Sequence, residues 1–350
     1  MASVGVVMST LQIGLAVAGG VVLAAVVAHS AWTSRKMAPR QPVPDDNTSE
    51  PFYAGIEPSM EPDGFSADQF PLPTPEKKAG MDALIDVIAP IALEGPVSGE
   101  AALAAMPATR RAGSKPFAVE GLHVLSRQWE TPAPGQRYAG FQAGVQLANR
   151  SGALNQIEYS EFVVKAQEFC DAINGTPDFP DMLEEVARAR ELDQFASGHD
   201  AQLGFTLRAS NTAWSPGYVQ QHAARLGFVP GVLPGRMVLA SRAAAMPPVL
   251  TLSFDTQAAL AEDPAQAAIR EVSLALDVAQ VDRSEQPFVR LREAANALAL
   301  AMDGIITDDN GQVLPRDAMD LIGSELESLY DTLEQRDLAA GSALARRLFS

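Results

Sequence analysis

Cysteine is nearly absent from this chain. Cys170 stands alone among 350 residues, so no internal disulfide can form. That usage fits a reducing compartment. Histidine is scarce too: His29, His123, His199 and His222 lie far apart, with no H-x-x-x-H or C-x-x-C spacing to hold a metal. Basic residues are in deficit, 26 against 43 acidic ones, giving a net charge of −17 and a pI near 4.6. Nucleic-acid binding rests on Lys and Arg contacts to phosphate, and spreading on anionic lipid needs the same sign of charge, so both are disfavoured.

Catalytic signatures are missing as well. There is no G-x-G-x-x-G and no G-x-S-x-G, and Gly113-Ser114-Lys115 lacks the earlier glycine of a phosphate-binding loop. Asp308-Asp309-Asn310-Gly311 looks like part of a calcium loop. Setting Gly311 sixth, however, puts Ile306 first, where a carboxylate is required, and a hairpin turn explains the four residues instead. Cys170 falls between Phe169 and Ile173 in a helical pattern and reads as a small core residue. No enzyme activity, cofactor or metal is expected.

What the chain does have is enough apolar content to fold, 47% hydrophobic against 20% charged, and length for two domains plus tails. From Met1 to Ser34 it carries no charge. Residues 11–32, Leu11 to Trp32, interrupt an apolar run only with Gln12, His29 and Ser30. About 20 such residues cross a hydrocarbon layer as a helix. Trp32 and then Arg35, Lys36 and Arg40 mark the cytoplasmic end, which places the N-terminus outside. A cleaved signal peptide would want a basic start and a shorter run, so an uncleaved transmembrane helix is expected.

Residues 37–80 then hold nine prolines, eight acidic and three basic residues. Such a composition predicts a disordered acidic linker, extending to the order of 100 Å at about 3.1 Å per residue.

Two α+β units follow. In residues 81–197, strands are expected at Asp82–Leu93, Phe117–Leu125 and Tyr138–Leu147. Helices are expected from Ser98, over Glu158–Ile173 and over Asp181–Gln194. In residues 199–336, Leu203, Phe205 and Leu207 alternate with Gly204, Thr206 and Arg208, while VLTLSF (249–254) and VSLALDV (272–278) alternate likewise. Ser215-Pro216 opens a helix, Pro287 opens a longer one to Met302, Asn310-Gly311 turns a hairpin, and Pro315 starts a last helix. The shared order of elements predicts that the first unit is a degenerate copy of the second. Residues 337–350 form a C-terminal tail, expected to pack back on the fold or to dock on a partner.

A charge-free N-terminal span, a proline-rich acidic linker and a C-terminal α+β module resemble the ZipA family of bacterial cell-division proteins. The segments that carry the resemblance are Trp214–Phe228 (WSPGYVQQHAARLGF), the two alternating strands, Phe288–Leu314 (FVRLREAANALALAMDGIITDDNGQVL) and the anchor's Leu11-Gln-Ile-Gly-Leu15. The resemblance implies a mostly antiparallel sheet with helices on one face. It also implies an inner-membrane location with the folded units in the cytoplasm, and a partner, the C-terminal tail of FtsZ, lying on the bare face. By position, that face carries Thr206, Arg208, Val238, Thr251, Ser253, Ser273, Ala275 and Asp277, with a rim near Val232, Leu233 and Met237. The side chains of the face are smaller and more polar than those of the family's groove, which leaves the rim and the first unit open as other places for the site. The alternatives are a generic envelope scaffold with another partner and, less favoured, a membrane-bound enzyme with an unrecognised α+β active site.

Overall fold

The computed structural model describes residues 39–42, 80–243 and 246–350. The protein is α+β, with antiparallel sheets and eight α-helices among these residues. The apolar run 11–32 and most of the stretch 37–80 lie outside them. No helix among the described residues is long and apolar enough to cross a membrane.

The first sheet contains β1 (Asp86–Leu93), β2 (Val97–Ser98), β3 (Arg111–Ala112), β4 (Lys115–His123), β5 (Trp129–Glu130), β6 (Arg137–Gln146) and β9 (Gly175–Pro177). Its order is β3-β4-β6-β1-β9, with β2 beside β6 and β5 beside β4. β7 (Ala148–Asn149) and β8 (Gly152–Ala153) pair separately. Period-2 alternation buries Val87, Ala89 and Ile91 of β1 and Phe141, Ala143 and Val145 of β6 on one side. The helices α1 (Gly99–Ala105), α2 (Gln156–Ile173) and α3 (Met182–His199) accompany this sheet. α2 starts in a capping box, Asn155 with Glu158, and stops where Asn174 turns left-handed. Its Phe162, Ala166, Phe169 and Ile173, at helical spacing, are buried, and Phe169 meets Phe141 edge-on at 5.3 Å. Each of these rings contributes about 2–3 kcal/mol by burial. Cys170 lies in the same core.

The second sheet contains β10 (Gln202–Ala209), β11 (Phe228–Pro230), β12 (Arg236–Leu239), β13 (Leu250–Ser253), β14 (Glu271–Asp277) and β15 (Gly304–Thr307), in the order β11-β12-β13-β14-β10-β15. Its helices are α4 (Pro216–Arg225), α5 (Thr256–Ala259), α6 (Pro287–Met302) and α7 (Arg316–Glu334). Ser215 caps α4 by accepting from the Tyr218 amide, with Pro216 at the first position. Phe205, Leu207, Leu252, Leu274 and Leu276 face Phe288, Leu291, Ala295 and Leu298 of α6 in one core. The turn at Asn310-Gly311 forms, with Gly311 at φ 78°. Its return strand shrinks to a single bridge between Thr307 and Val313, because Pro315, which has no N–H, leads directly into α7.

The two sheets share an order. In the first, β1 lies between β6, the last strand of that sheet before the long helix α2, and β9, the strand right after it. In the second, β10 lies between β14 and β15, which flank α6 in the same way.

Two segments tie distant parts of the chain together, and the first, the tail, packs back on the fold, one of the two outcomes expected of it. The C-terminal tail forms α8 (Ala343–Leu348) and packs across the junction of the units, with Leu348 and Phe349 buried. Its Phe349 and Arg346 carbonyls accept from Gln280 Nε2 at 2.7 and 3.3 Å, and its Arg347 carbonyl accepts from Gln146 Nε2 at 2.8 Å. The other is Pro39–Pro42, inside the expected linker. Arg40 pairs with Trp214 in a parallel bridge, so the linker does not run unbroken from 37 to 80.

Candidate functional site

The helix-free face of the second sheet gathers most of the residues expected there. β10 and β14 run antiparallel with Thr206 opposite Ser273, Gly204 opposite Ala275 and Arg208 opposite Glu271. On the other side of β14, Thr251 faces Ala275 and Ser253 faces Ser273, and β12 continues with Val238 opposite Thr251 and Arg236 opposite Ser253. Two rows therefore cross the sheet, Val238–Thr251–Ala275–Gly204 and Arg236–Ser253–Ser273–Thr206. All point away from the core because each alternates with a buried neighbour such as Leu252 or Leu274. None of these residues is buried.

The face is a shallow trough with charged ends. A concavity of about 390 Å³ is lined by Gly204, Arg236, Thr251, Ala275, Asp277 and Asp309. At one end, Arg208 Nε meets Glu271 Oε1 at 3.0 Å. At the other, Arg150 of the first unit holds Asp277 at 2.7 Å and Asp200 at 2.6 Å. The 308–311 turn overhangs the β15 side. Asp309 Oδ1 would lie 3.2 Å from a Cβ on Gly204, so the missing side chain is what admits it. Because the floor is small and polar, an occupant gains little apolar burial at about 25 cal/mol per Å² and must draw on side-chain hydrogen bonds and charge, since β12, β13, β14 and β10 are each paired on both sides.

The three expected rim residues are elsewhere. Met237 is 3% exposed and points into the core opposite Leu252, since it alternates with Arg236 and Val238. Leu233 and Val232 are exposed at 58% and 100%, but on the loop between β11 and β12, clear of the trough. Gly204, Arg236 and Asp309 are lining residues that the sequence pattern did not single out. Alternation with Phe205 and Met237 carries the signal for the first two. Asp309 has none, because a turn's side-chain direction is not periodic.

The corresponding face of the first sheet is covered at one end. Asp86, Glu120, Gly144 and Gln146 lie on it and are buried. Met81 lies over Gly144, its Sδ 2.2 Å from where a Cβ would stand, and the Met81 amide donates to Glu120 Oε1 at 3.0 Å. Arg347 from the tail grips Asp86 with bonds of 2.5 and 3.0 Å.

Among the described residues, no group of three or more His, Cys, Asp or Glu is placed to hold a metal ion. His199 spends Nδ1 on the Phe195 carbonyl at 2.7 Å, and His123 is bonded to Ser126 and Gln136. Burial pushes the Cys170 thiol up to about 11, which removes it as a nucleophile near neutral pH.

Neither a comparison with models of known protein families nor one with curated proteins gives a match.

Proposed function

We propose that this chain is a membrane-anchored, non-enzymatic adaptor that receives a protein tail on the helix-free face of its second unit. The observation that carries this reading is the contrast between the two faces. The second is open over two full rows of side chains, whereas the first is capped by Met81 and Arg347. The ZipA resemblance makes the tail that of FtsZ and the role that of fastening the division ring to the inner membrane. In this reading residues 11–32 are the single span, with the N-terminus periplasmic and both units cytoplasmic. The shared strand order supports descent of the two units from one duplicated ancestor.

Ala275 is exposed at the centre of the face, and its neighbours Leu274 and Leu276 point the other way. In fluorescence titration of the full chain with the FtsZ tail peptide, Ala275→Glu is expected to bind about tenfold more weakly, a loss of about 1.4 kcal/mol, with unchanged stability. Equal affinity for parent and variant would sink the assignment of the face. The small, polar floor favours a second reading, a scaffold for a different envelope protein. That reading predicts no saturable binding of the FtsZ peptide by the parent.

A further inference from the structure

Pro39–Pro42 is seated on the second unit by contacts from both backbone and side chain. The Arg40 amide donates to the Ala213 carbonyl at 2.7 Å, and the Ser215 amide donates to the Arg40 carbonyl at 2.9 Å. Arg40 Nη1 donates to the Met302 carbonyl at 3.2 Å, and Nη2 meets Asp303 Oδ2 at 2.8 Å. Gln41 Nε2 donates to the Ala265 carbonyl at 2.5 Å. Pro42 packs by Gly217, where a Cβ would already touch it at 3.4 Å.

The site suits this segment physically. Met302 ends α6, whose last turn has no basic residue of its own. Its last carbonyls have no partner within the helix turn that would follow, and its negative dipole end favours a cation, which Arg40 brings from 262 residues away. Beside it, Trp214 is fully buried and donates from Nε1 to the same Met302 carbonyl at 2.8 Å. Two donors thus converge on one helix end, and the seat is formed by the folded unit itself.

The structure assigns to Pro39–Pro42 the role of a latch that holds the second unit close to the membrane, given the reading of residues 11–32 as the anchor. Only residues 33–38 separate Trp32 from Pro39. Fully extended, that connection reaches no more than about 25 Å. The acidic proline-rich stretch 43–79 lies beyond the latch, between it and the first unit, and so does not set the height of the second. Opening the latch transfers the leash to the whole span from Trp32 to Gly80, roughly 150 Å at about 3.1 Å per residue. The second unit's open face thus has two working distances from the bilayer, governed by one arginine.

The test uses the full chain in nanodiscs, as parent, Arg40→Ala and Asp303→Asn. Hydrogen exchange at the Ser215 amide reads the latch, and energy transfer from a dye on Leu233→Cys (in a Cys170→Ala background) to headgroup acceptors reads the height. In the parent, Ser215 is expected to exchange at least tenfold more slowly than in Arg40→Ala, with Asp303→Asn between them, and transfer is expected to fall in both variants. Equal exchange in parent and Arg40→Ala overturns the latch. Slow exchange in the parent with transfer unchanged in the variants overturns the control of height. Release of the parent from the nanodisc overturns the anchor and with it the height claim, while the exchange result still judges the latch by itself.

Discussion

Arg150 and Asp277 join the two units through a hydrogen bond from Nη2 to Oδ1 at 2.8 Å and an ion-pair contact of Nη1 with Oδ2 at 2.7 Å. Arg150 also chelates Asp200, with bonds of 2.8 and 2.6 Å. Asp277, which the ZipA resemblance places on the tail-binding face, is therefore held from outside its own unit. That end of the trough keeps its shape only while the units stay together.

Removing the shared cation should loosen the junction more than removing either carboxylate. The three side chains are 23–31% exposed, so water screens the pairs and the cost of Arg150→Ala is expected at about 1–2 kcal/mol. Urea denaturation should show a lower midpoint and a broader, less cooperative transition as the units separate. An unchanged curve would mean that the junction rests on the tail alone.

The tail makes the stronger prediction. Asp86 is 2% exposed and accepts from Arg347 and from the Asp82 amide. Burial pushes its carboxyl upward and the Arg347 guanidinium pulls it back, with burial the larger influence. Arg347→Ala leaves a buried carboxylate unpaired, at a cost of about 3–5 kcal/mol at pH 7. An acid whose folded-state pKa lies above its unfolded one loses stability as pH rises through that interval. The deficit of Arg347→Ala should therefore shrink near pH 4 and be complete at pH 7, and Asp86→Asn combined with Arg347→Ala should recover most of it. Thermal melts of the parent and both variants at the two pH values check this.

Much of this architecture was legible in residue patterns, because strands and helices declare themselves by period and cap. Pro287–Met302 is the helix that its proline start predicts, and Ser215-Pro216 begins another. Alternation around Phe205, Leu252 and Leu274 placed eight candidate residues on one face. It misplaced Met237, whose assignment to a rim ignored the parity it shares with the core. The contacts that join distant parts were not legible. Nothing near Arg40 announces Met302, and nothing near Arg347 announces Asp86, since a single polar contact across more than 260 residues leaves no local period. The tail's Leu348 and Phe349 were visible as apolar, but not as the plug of a junction.

Cys170 offers a check on the first core. Its thiol, pushed up to about 11 by burial, should stay unreactive toward thiol reagents at pH 8 and react at once in urea. Because the folded state disfavours the thiolate, this group's contribution to stability falls as pH rises from about 9 to about 11. Rapid labelling of the native chain at pH 8 would mean that the core around Phe141 and Phe169 opens readily.

Gly144 tests what covers one end of the first face. A methyl there would stand 2.2 Å from Met81 Sδ and 3.0 Å from the Val87 carbonyl. The methionine can swing away, but the backbone oxygen cannot, so Gly144→Ala is expected to cost about 1–3 kcal/mol. It should also expel Met81, breaking the bond from its amide to Glu120 and speeding exchange of that amide. The first face would then lose half its cover while Arg347 still grips Asp86. In an Ala275→Glu background, where the second face is blocked, tail binding distinguishes the alternatives. If Gly144→Ala restores no binding, removing the Met81 half of the cover does not give the first face a site. If binding returns, the cover is what silences the first face, and the two sheets keep equivalent docking surfaces.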